Sequence, residues 1–257
     1  PLIDEAAHGS LVTVSPRGAS EGIDVYAYPH NETSTGVASP VYRVEAPNAL
    51  TLVDGTSIAG ATPVDLTQVD AYYFSLQKAL GSDGGLWVAI LSPAAIERAR
   101  RVEECADGRW VPQFLSLSAA IDNSRKDQTL NTPALATIIM AERQVRWLLQ
   151  CGGMDAVSAH CAQASSLIYD WAEANLAARP FVDNPAWRSP VTATIEIDEA
   201  VSASELAAHL RARGIIDIGA YRGVGANQLR IGTWPSVEVE DVEALLACID
   251  YCLERVL

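Results

Sequence analysis

The chain has 257 residues, with 18 basic against 32 acidic side chains and a formal net charge of −14, which sets aside a nucleic-acid groove or an anionic membrane surface as partner. Hydrophobic residues make up 49% and charged residues 19%, enough apolar material for a substantial core and too little charge for a disordered chain. Sixteen of the basic residues are Arg and only two are Lys, Lys78 and Lys126, so chemistry that needs a primary amine has two candidate side chains.

Short apolar, β-rich runs fill the first hundred residues. Ile23 to Tyr28 (IDVYAY), Ala49 to Val53 (ALTLV) and Ala71 to Phe74 (AYYF) read as strands buried on both faces, each ending in a polar loop. Loops at the C-terminal ends of parallel strands are where α/β folds place ligands. A fourth run, Gly85 to Leu91, ends at Ser92-Pro93, which opens a helix from Ala94 to about Cys105. Residues 106–132 have weak periodicity and read as a long irregular connection of the kind that is usually functional or at an interface. Two helices follow, Ala134 to Gln150 and Met154 to Leu176, broken by Cys151-Gly152-Gly153. The tail reads as strand (Val191 to Ile197), helix (Ser202 to Arg213, with Ser202 and Glu205 as a capping box), strand (Gln228 to Gly232) and helix (Val237 to Val256). The expectation is an α/β chain with a larger, mostly parallel-sheet domain over residues 1–150 and a smaller α/β domain over 151–257.

The five cysteines (Cys105, Cys151, Cys161, Cys248, Cys252) contain no CxxC pair, and the four histidines form no pair at ligand spacing, so neither a disulfide framework nor a metal centre is expected. No apolar run approaches the roughly 18 residues of a membrane span. The N-terminus PLIDEAAHGS lacks the basic-then-apolar order of a signal peptide. A cytoplasmic location is expected.

Lys78 lies between a buried strand and a glycine-rich turn, in Gln77-Lys78-Ala79-Leu80-Gly81-Ser82-Asp83-Gly84-Gly85. Small residues there leave room for a ligand, and a partly desolvated lysine is a nucleophile for carbonyl carbon. Asp54 closes the strand ALTLVD, 24 residues before Lys78. That distance is about one strand–crossover–strand unit, so both can reach one edge of the sheet. A carboxylate facing a Schiff-base lysine is what pyridoxal phosphate requires, because the acid keeps the ring nitrogen protonated. Arg230, in the apolar strand QLRIG, is costly to bury without an anion.

The ordered blocks His30-Asn31-Glu32-Thr33-Ser34-Thr35-Gly36, Asp54-Gly55-Thr56-Ser57, the lysine segment, Gln128-Thr129-Leu130-Asn131-Thr132-Pro133 and Asn227-Gln228-Leu229-Arg230 resemble the fold type I aminotransferases, most closely the phosphoserine aminotransferases of the actinobacterial branch. The resemblance runs from about Tyr28 to the C-terminus. It implies a large cofactor domain with a mostly parallel sheet, here N-terminally incomplete, and a small C-terminal domain. It implies pyridoxal 5'-phosphate as cofactor, with Lys78 as the Schiff-base lysine, Asp54 as the acid on the pyridine nitrogen, Thr33 beside the ring oxygen and Gln77 on the cofactor phosphate. Asn131 and Thr132 would reach across a homodimer interface to the neighbouring cofactor phosphate, while also suiting a helix start before Pro133. Arg230 would grip the substrate α-carboxylate and Arg222 the phosphate of phosphoserine.

The implied reaction converts O-phospho-L-serine and 2-oxoglutarate to 3-phosphooxypyruvate and glutamate, in serine biosynthesis and, through a phosphorylated threonine analogue, in vitamin B6 synthesis. Family members carry a further segment ahead of IDVYAY that supplies a glycine-rich phosphate loop, an aromatic ring over the pyridine and a His-Arg pair. Residues 1–22 hold no candidate for these. Two other readings stay open: a dimerising remnant that holds no cofactor, and a related class V enzyme such as an alanine:glyoxylate aminotransferase. The cysteine desulfurases rank lower, since none of the five cysteines lies in a recognisable glycine- or serine-rich loop.

Overall fold

A computed structural model describes residues 2–17, 22–105, 110–221, 224 and 227–255. In chain order the first half supplies β1 (Val25–Pro29), the short strands β2 (Asn31–Glu32) and β3 (Val37–Ala38), β4 (Leu50–Asp54), β5 (Ala71–Ser75), β6 (Trp87–Leu91), α1 (Pro93–Glu104) and α2 (Leu117–Ser124). The second half supplies α3 (Leu135–Gln150), α4 (Gly153–Ala174), β7 (Ala178–Pro180), β8 (Thr192–Ile197), α5 (Ala203–Arg211), β9 (Gln228–Gly232) and α6 (Val239–Arg255).

The strand order of the main sheet is β1-β4-β5-β6. The first three strands are parallel and β6 runs antiparallel on the outside of β5. The register sets Pro29 against Asp54 and Asp54 against Tyr73, so β1 and β4 end at one level and β5 runs two residues farther, to Ser75. β2 and β3 pair as a small hairpin, and β7-β8-β9 form a separate antiparallel sheet.

Where the chain was expected to be irregular, Ser116 caps α2 by accepting from the Ala119 N–H at 3.0 Å. A short helix of two turns leaves too few apolar repeats for periodicity to register. At α5 Ser202 caps the helix by accepting from Glu205 N–H at 3.2 Å, the N-cap half of the expected capping box. Ser92 does the same for α1 through Ala95 N–H at 3.1 Å, with Pro93 in the first turn.

Three apolar cores hold these layers. One packs α4, α5 and α6 on the β7-β8-β9 sheet through Ile168, Ile195, Leu206, Leu229 and Ile249, all fully buried. A second joins the turn after β5 to α3 and α4 through Ile58, Leu76, Leu80, Leu148, Val157 and Cys161. The third lies on one face of the main sheet, around Tyr26, Tyr28, Val53 and Tyr72. At the start of β5, Asp70 is held by Arg43 at 2.8 Å, Thr51 N–H at 2.9 Å and the Ser92 hydroxyl at 2.9 Å. Burial opposes its ionisation, but those three donors outweigh it and hold the carboxyl below the usual carboxylate range.

The opposite sheet face differs from expectation. Along β1 burial alternates, with Val25, Ala27 and Pro29 exposed and Tyr26 and Tyr28 buried, because among the described residues no element covers that face. On β6, Trp87 is exposed on that face and Val88 and Ile90 on the face of Tyr72, and α3 exposes Leu135, Ile138, Ile139 and Leu149. Exposed apolar side chains in such number suit an interaction face.

His30, 5% exposed, sits behind the main sheet with Nδ1 3.0 Å from the Tyr72 hydroxyl. Burial lowers its pKa from 6.5 to about 4, so the folded chain binds fewer protons there than the unfolded chain between those two pH values. Stability therefore rises with pH across that window and is lost as pH falls through it. Urea unfolding should lose about 1.5 kcal/mol between pH 6.5 and 5 from this group. His30→Gln should flatten that segment of the pH profile, and an unchanged slope would contradict the assignment.

Candidate active site

The C-terminal ends of β1, β4 and β5 carry the segments that hold Thr33, Asp54, Gln77 and Lys78. The ladder continues one step beyond the strands, with His30 N–H donating to Asp54 C=O and Gly55 N–H to Tyr73 C=O, both at 2.8 Å. Asp54 is partly buried there, and its Oδ1 accepts from Thr56 N–H at 2.8 Å. Its Oδ2 makes no hydrogen bond among the described residues. A side chain at Gly55 would overlap the Tyr72 ring, since a Cβ would lie 2.2 Å from Cζ, so the turn after Asp54 packs directly on that ring. Burial, and then the Asp54 charge, pushes the Tyr72 hydroxyl well above the usual phenol range. It stays neutral.

Lys78 lies in the turn after β5. Leu76, Ala79 and Leu80 bury themselves in the second core while Lys78 stays partly exposed. The turn is fixed by Gly81 N–H to Lys78 C=O at 2.9 Å, by Ser82 N–H to Leu76 C=O at 3.0 Å and by the Ser82 hydroxyl to Thr137 C=O at 2.7 Å. The Lys78 amine is 5.9 Å from the centre of the Trp234 ring. Gln77 is exposed beside it.

Thr33 lies in the turn between β2 and β3, where Glu32 accepts from Ser34 N–H at 2.9 Å. The Thr33 carbonyl accepts from Arg230 Nη1 at 3.4 Å. Arg230 stands on β9 between buried Leu229 and Ile231, and its guanidinium carbon is 5.0 Å from the centre of the Tyr221 ring. Its Nε is buried without a partner among the described residues, as is Oδ1 of Asn31 on β2. A donor and an acceptor left this way cost free energy until a ligand supplies the partner.

Lys78 and the loop after Asp54 are joined through Trp234, and Thr33 and Arg230 through one hydrogen bond. Asn131 and Thr132 are not. Both are exposed, and with Trp87, Phe114, Leu117 and Ala134 they line a groove of about 660 Å³. No hydrogen bond among the described residues ties them to Lys78 or Asp54. Arg222 lies outside the described residues.

Three residues of this neighbourhood were not singled out from sequence: Asn31, Ser57 and Trp234. Asn31 Nδ2 donates to Ser57 Oγ at 2.8 Å, and Trp234 Nε1 donates to Ser57 C=O at 3.0 Å. The available signal for Trp234 was a tryptophan two residues past the end of the arginine strand. Among the described residues, no group of three or more His, Cys, Asp or Glu could hold a metal ion, and no helix is long and apolar enough to cross a membrane.

Residues 13–224 match the family model described as aminotransferase class-V. The phosphoserine aminotransferase of Rhodococcus jostii is 46% identical over 257 residues, covering 99% of this chain and 67% of its own length. That of Corynebacterium glutamicum is 48% identical over 237 residues, covering 92% of this chain and 62% of its own length. This chain therefore spans about two thirds of the length of those relatives. Among solved structures, a phosphoserine aminotransferase from Cytophaga hutchinsonii superposes with a TM-score of 0.87 at 24% identity, over 99% of this chain and 70% of that one, a likeness of fold. The chain belongs to the class V aminotransferases and, within them, to the phosphoserine aminotransferases, a family of pyridoxal phosphate-dependent transaminases.

Proposed function

We propose that this chain transfers the amino group of O-phospho-L-serine to 2-oxoglutarate, with pyridoxal 5'-phosphate held by Lys78, Asp54, Thr33 and Gln77. The observation that carries this reading is the gathering of a primary amine, a carboxylate and a guanidinium from three distant segments at the common end of three parallel strands.

The donor set suits the cofactor. Lys78 offers an amine to its aldehyde carbon, and Asp54 keeps Oδ2 without a hydrogen bond among the described residues, available to a ring N–H. Arg230 keeps a buried, unpaired Nε for an anion. When bound, the cofactor supplies an electron sink for the pair released at the substrate Cα.

Lys78 Nζ would hold the cofactor by its aldehyde carbon and, as a free amine, would carry the proton from the substrate Cα to that cofactor carbon. Asp54 holds a proton at the ring nitrogen, where its negative charge favours the cation. Arg230 orients the substrate by pairing its fork with the α-carboxylate. With a net charge of −14, the chain as a whole repels a substrate carrying a carboxylate and a phosphate. Recognition then depends on local cations, and Arg222 is the second of these in the proposal.

The division at about residue 150 assigns cofactor chemistry to residues 1–150 and the carboxylate grip to 151–257. A second copy of the chain packs on the apolar flank of α3, where Leu135, Ile138 and Ile139 are exposed directly after Asn131 and Thr132. Those two residues then reach the neighbouring cofactor phosphate. The metabolic setting is serine biosynthesis and vitamin B6 synthesis, in the cytoplasm.

Incubation with pyridoxal phosphate, borohydride reduction and peptide mapping should label Lys78 and leave Lys126 at background. Lys78→Arg should abolish the label, and labelling spread evenly over both lysines would overturn the site. For the assembly, sedimentation equilibrium should give a dimer mass that Ile139→Glu shifts toward monomer, weakening association by about thirtyfold or more. A monomeric parent chain would contradict that part.

A further inference from the structure

We propose that Trp234 is a positioning residue for Lys78, a fixed aromatic wall that holds the amine in the attitude needed to capture a carbonyl carbon. The inference rests on the reading of Lys78 as the cofactor-binding amine and adds to it the device that aims that amine.

The geometry has three parts. The indole N–H of Trp234 donates to the Ser57 carbonyl at 3.0 Å, tying the segment after β9 to the loop after Asp54. The Ser57 hydroxyl is itself held, accepting from Asn31 Nδ2 at 2.8 Å and donating to Asn31 C=O at 3.3 Å. On its other side the ring folds back over Gly232, where a Cβ would come within 2.6 Å of Cζ3, so only glycine leaves room for this orientation. The ring is packed against the second core, with Ile58, Leu76 and Leu80 among its members, and presents itself to the Lys78 amine at 5.9 Å from ring centre to Nζ.

This distance lies at the outer limit of cation–π attraction, which reaches about 6 Å, so the ring acts chiefly as a wall. A lysine stem has four rotatable bonds, and freezing them costs up to about 2 kcal/mol of rotamer freedom. A rigid neighbour that removes unproductive rotamers carries part of that cost before the carbonyl arrives, and small displacements of a nucleophile cost up to about a hundredfold in rate. Trp234 also follows Arg230 by four residues on the same segment. One stretch of chain therefore sets both the substrate-gripping cation and the wall beside the amine, and Ser57 fixes where that stretch sits relative to Asp54.

A tryptophan that merely fills space between the layers would affect stability and leave the lysine unchanged, and the test separates the two roles. The presence of only two lysines makes Lys126, exposed, an internal reference. After reductive methylation with ¹³C-formaldehyde, the methyl protons of Lys78 should resonate upfield of those of Lys126 through the ring current. Trp234→Leu should erase the difference.

In unmethylated protein, the initial rate of borohydride-trapped pyridoxal phosphate at Lys78, relative to Lys126, should fall about tenfold in Trp234→Leu and recover to within about threefold of the parent in Trp234→Phe. Gly232→Ala keeps the indole but displaces it, and should slow capture in the same direction; it carries the test if Trp234→Leu does not fold. Unchanged relative capture in Trp234→Leu, or in Gly232→Ala where that variant carries the test, overturns the proposal and leaves the role of Lys78 standing. A parent chain that does not label preferentially at Lys78 overturns both.

Discussion

The register of three parallel strands, which brings Pro29, Asp54 and Tyr73 to one level, is the constraint on which the site depends. Parallel strands require crossover connections, so the residues that meet at their ends come from distant parts of the chain. The same alternation that turns Tyr28, Val53 and Tyr72 toward the third core turns Asp54 and Tyr73 to the other face. A slip of one residue would exchange those faces and bury the carboxylate among tyrosines. The network around Asp70 guards against this at the opposite end of the sheet, binding the starts of β4, β5 and α1 to one buried carboxylate.

From that register the rest of the site follows in steps. The β2–β3 turn is carried on the end of β1 and exposes the Thr33 carbonyl to Arg230. The Asp54 loop presents the Ser57 carbonyl to Trp234. These contacts are modest, each a single hydrogen bond of roughly 1 kcal/mol net, yet they join the β7-β8-β9 layer to the main sheet at the point where the chemistry is assigned. Two buried polar atoms there, Arg230 Nε and Asn31 Oδ1, have no partner among the described residues. Each leaves one hydrogen-bonding direction that a bound group can fill.

The open apolar surfaces have the same logic on a larger scale. One face of β1, the flank of α3 and the residues around Trp87 expose side chains that a monomer of this size ordinarily covers. The relatives are longer, with this chain spanning about two thirds of their length, and the apolar flank of α3 adjoins Asn131 and Thr132. In an acidic chain, such apolar faces are where association escapes the repulsion of like charges.

The sequence by itself determined the order and type of the main elements and singled out Lys78 as one of only two candidate amines. Apolar runs ending in polar loops, Ser92-Pro93, the Ser202–Glu205 capping box and the glycine break before α4 are local signals, written in residues that touch one another along the chain. Scarcity made Lys78 conspicuous, and an arginine inside QLRIG is anomalous on any apolar strand. Local signals fade where an element is short, so α2, the β2–β3 hairpin and β7 passed unseen. What only the tertiary structure decided is which groups face each other across long separations: Trp234 with Ser57 and Lys78, Arg230 with Thr33, and Asn131 and Thr132 apart from them all. Those relations depend on how separate layers pack, and packing is a property of surfaces assembled from the whole chain, for which no short stretch of residues carries a signature.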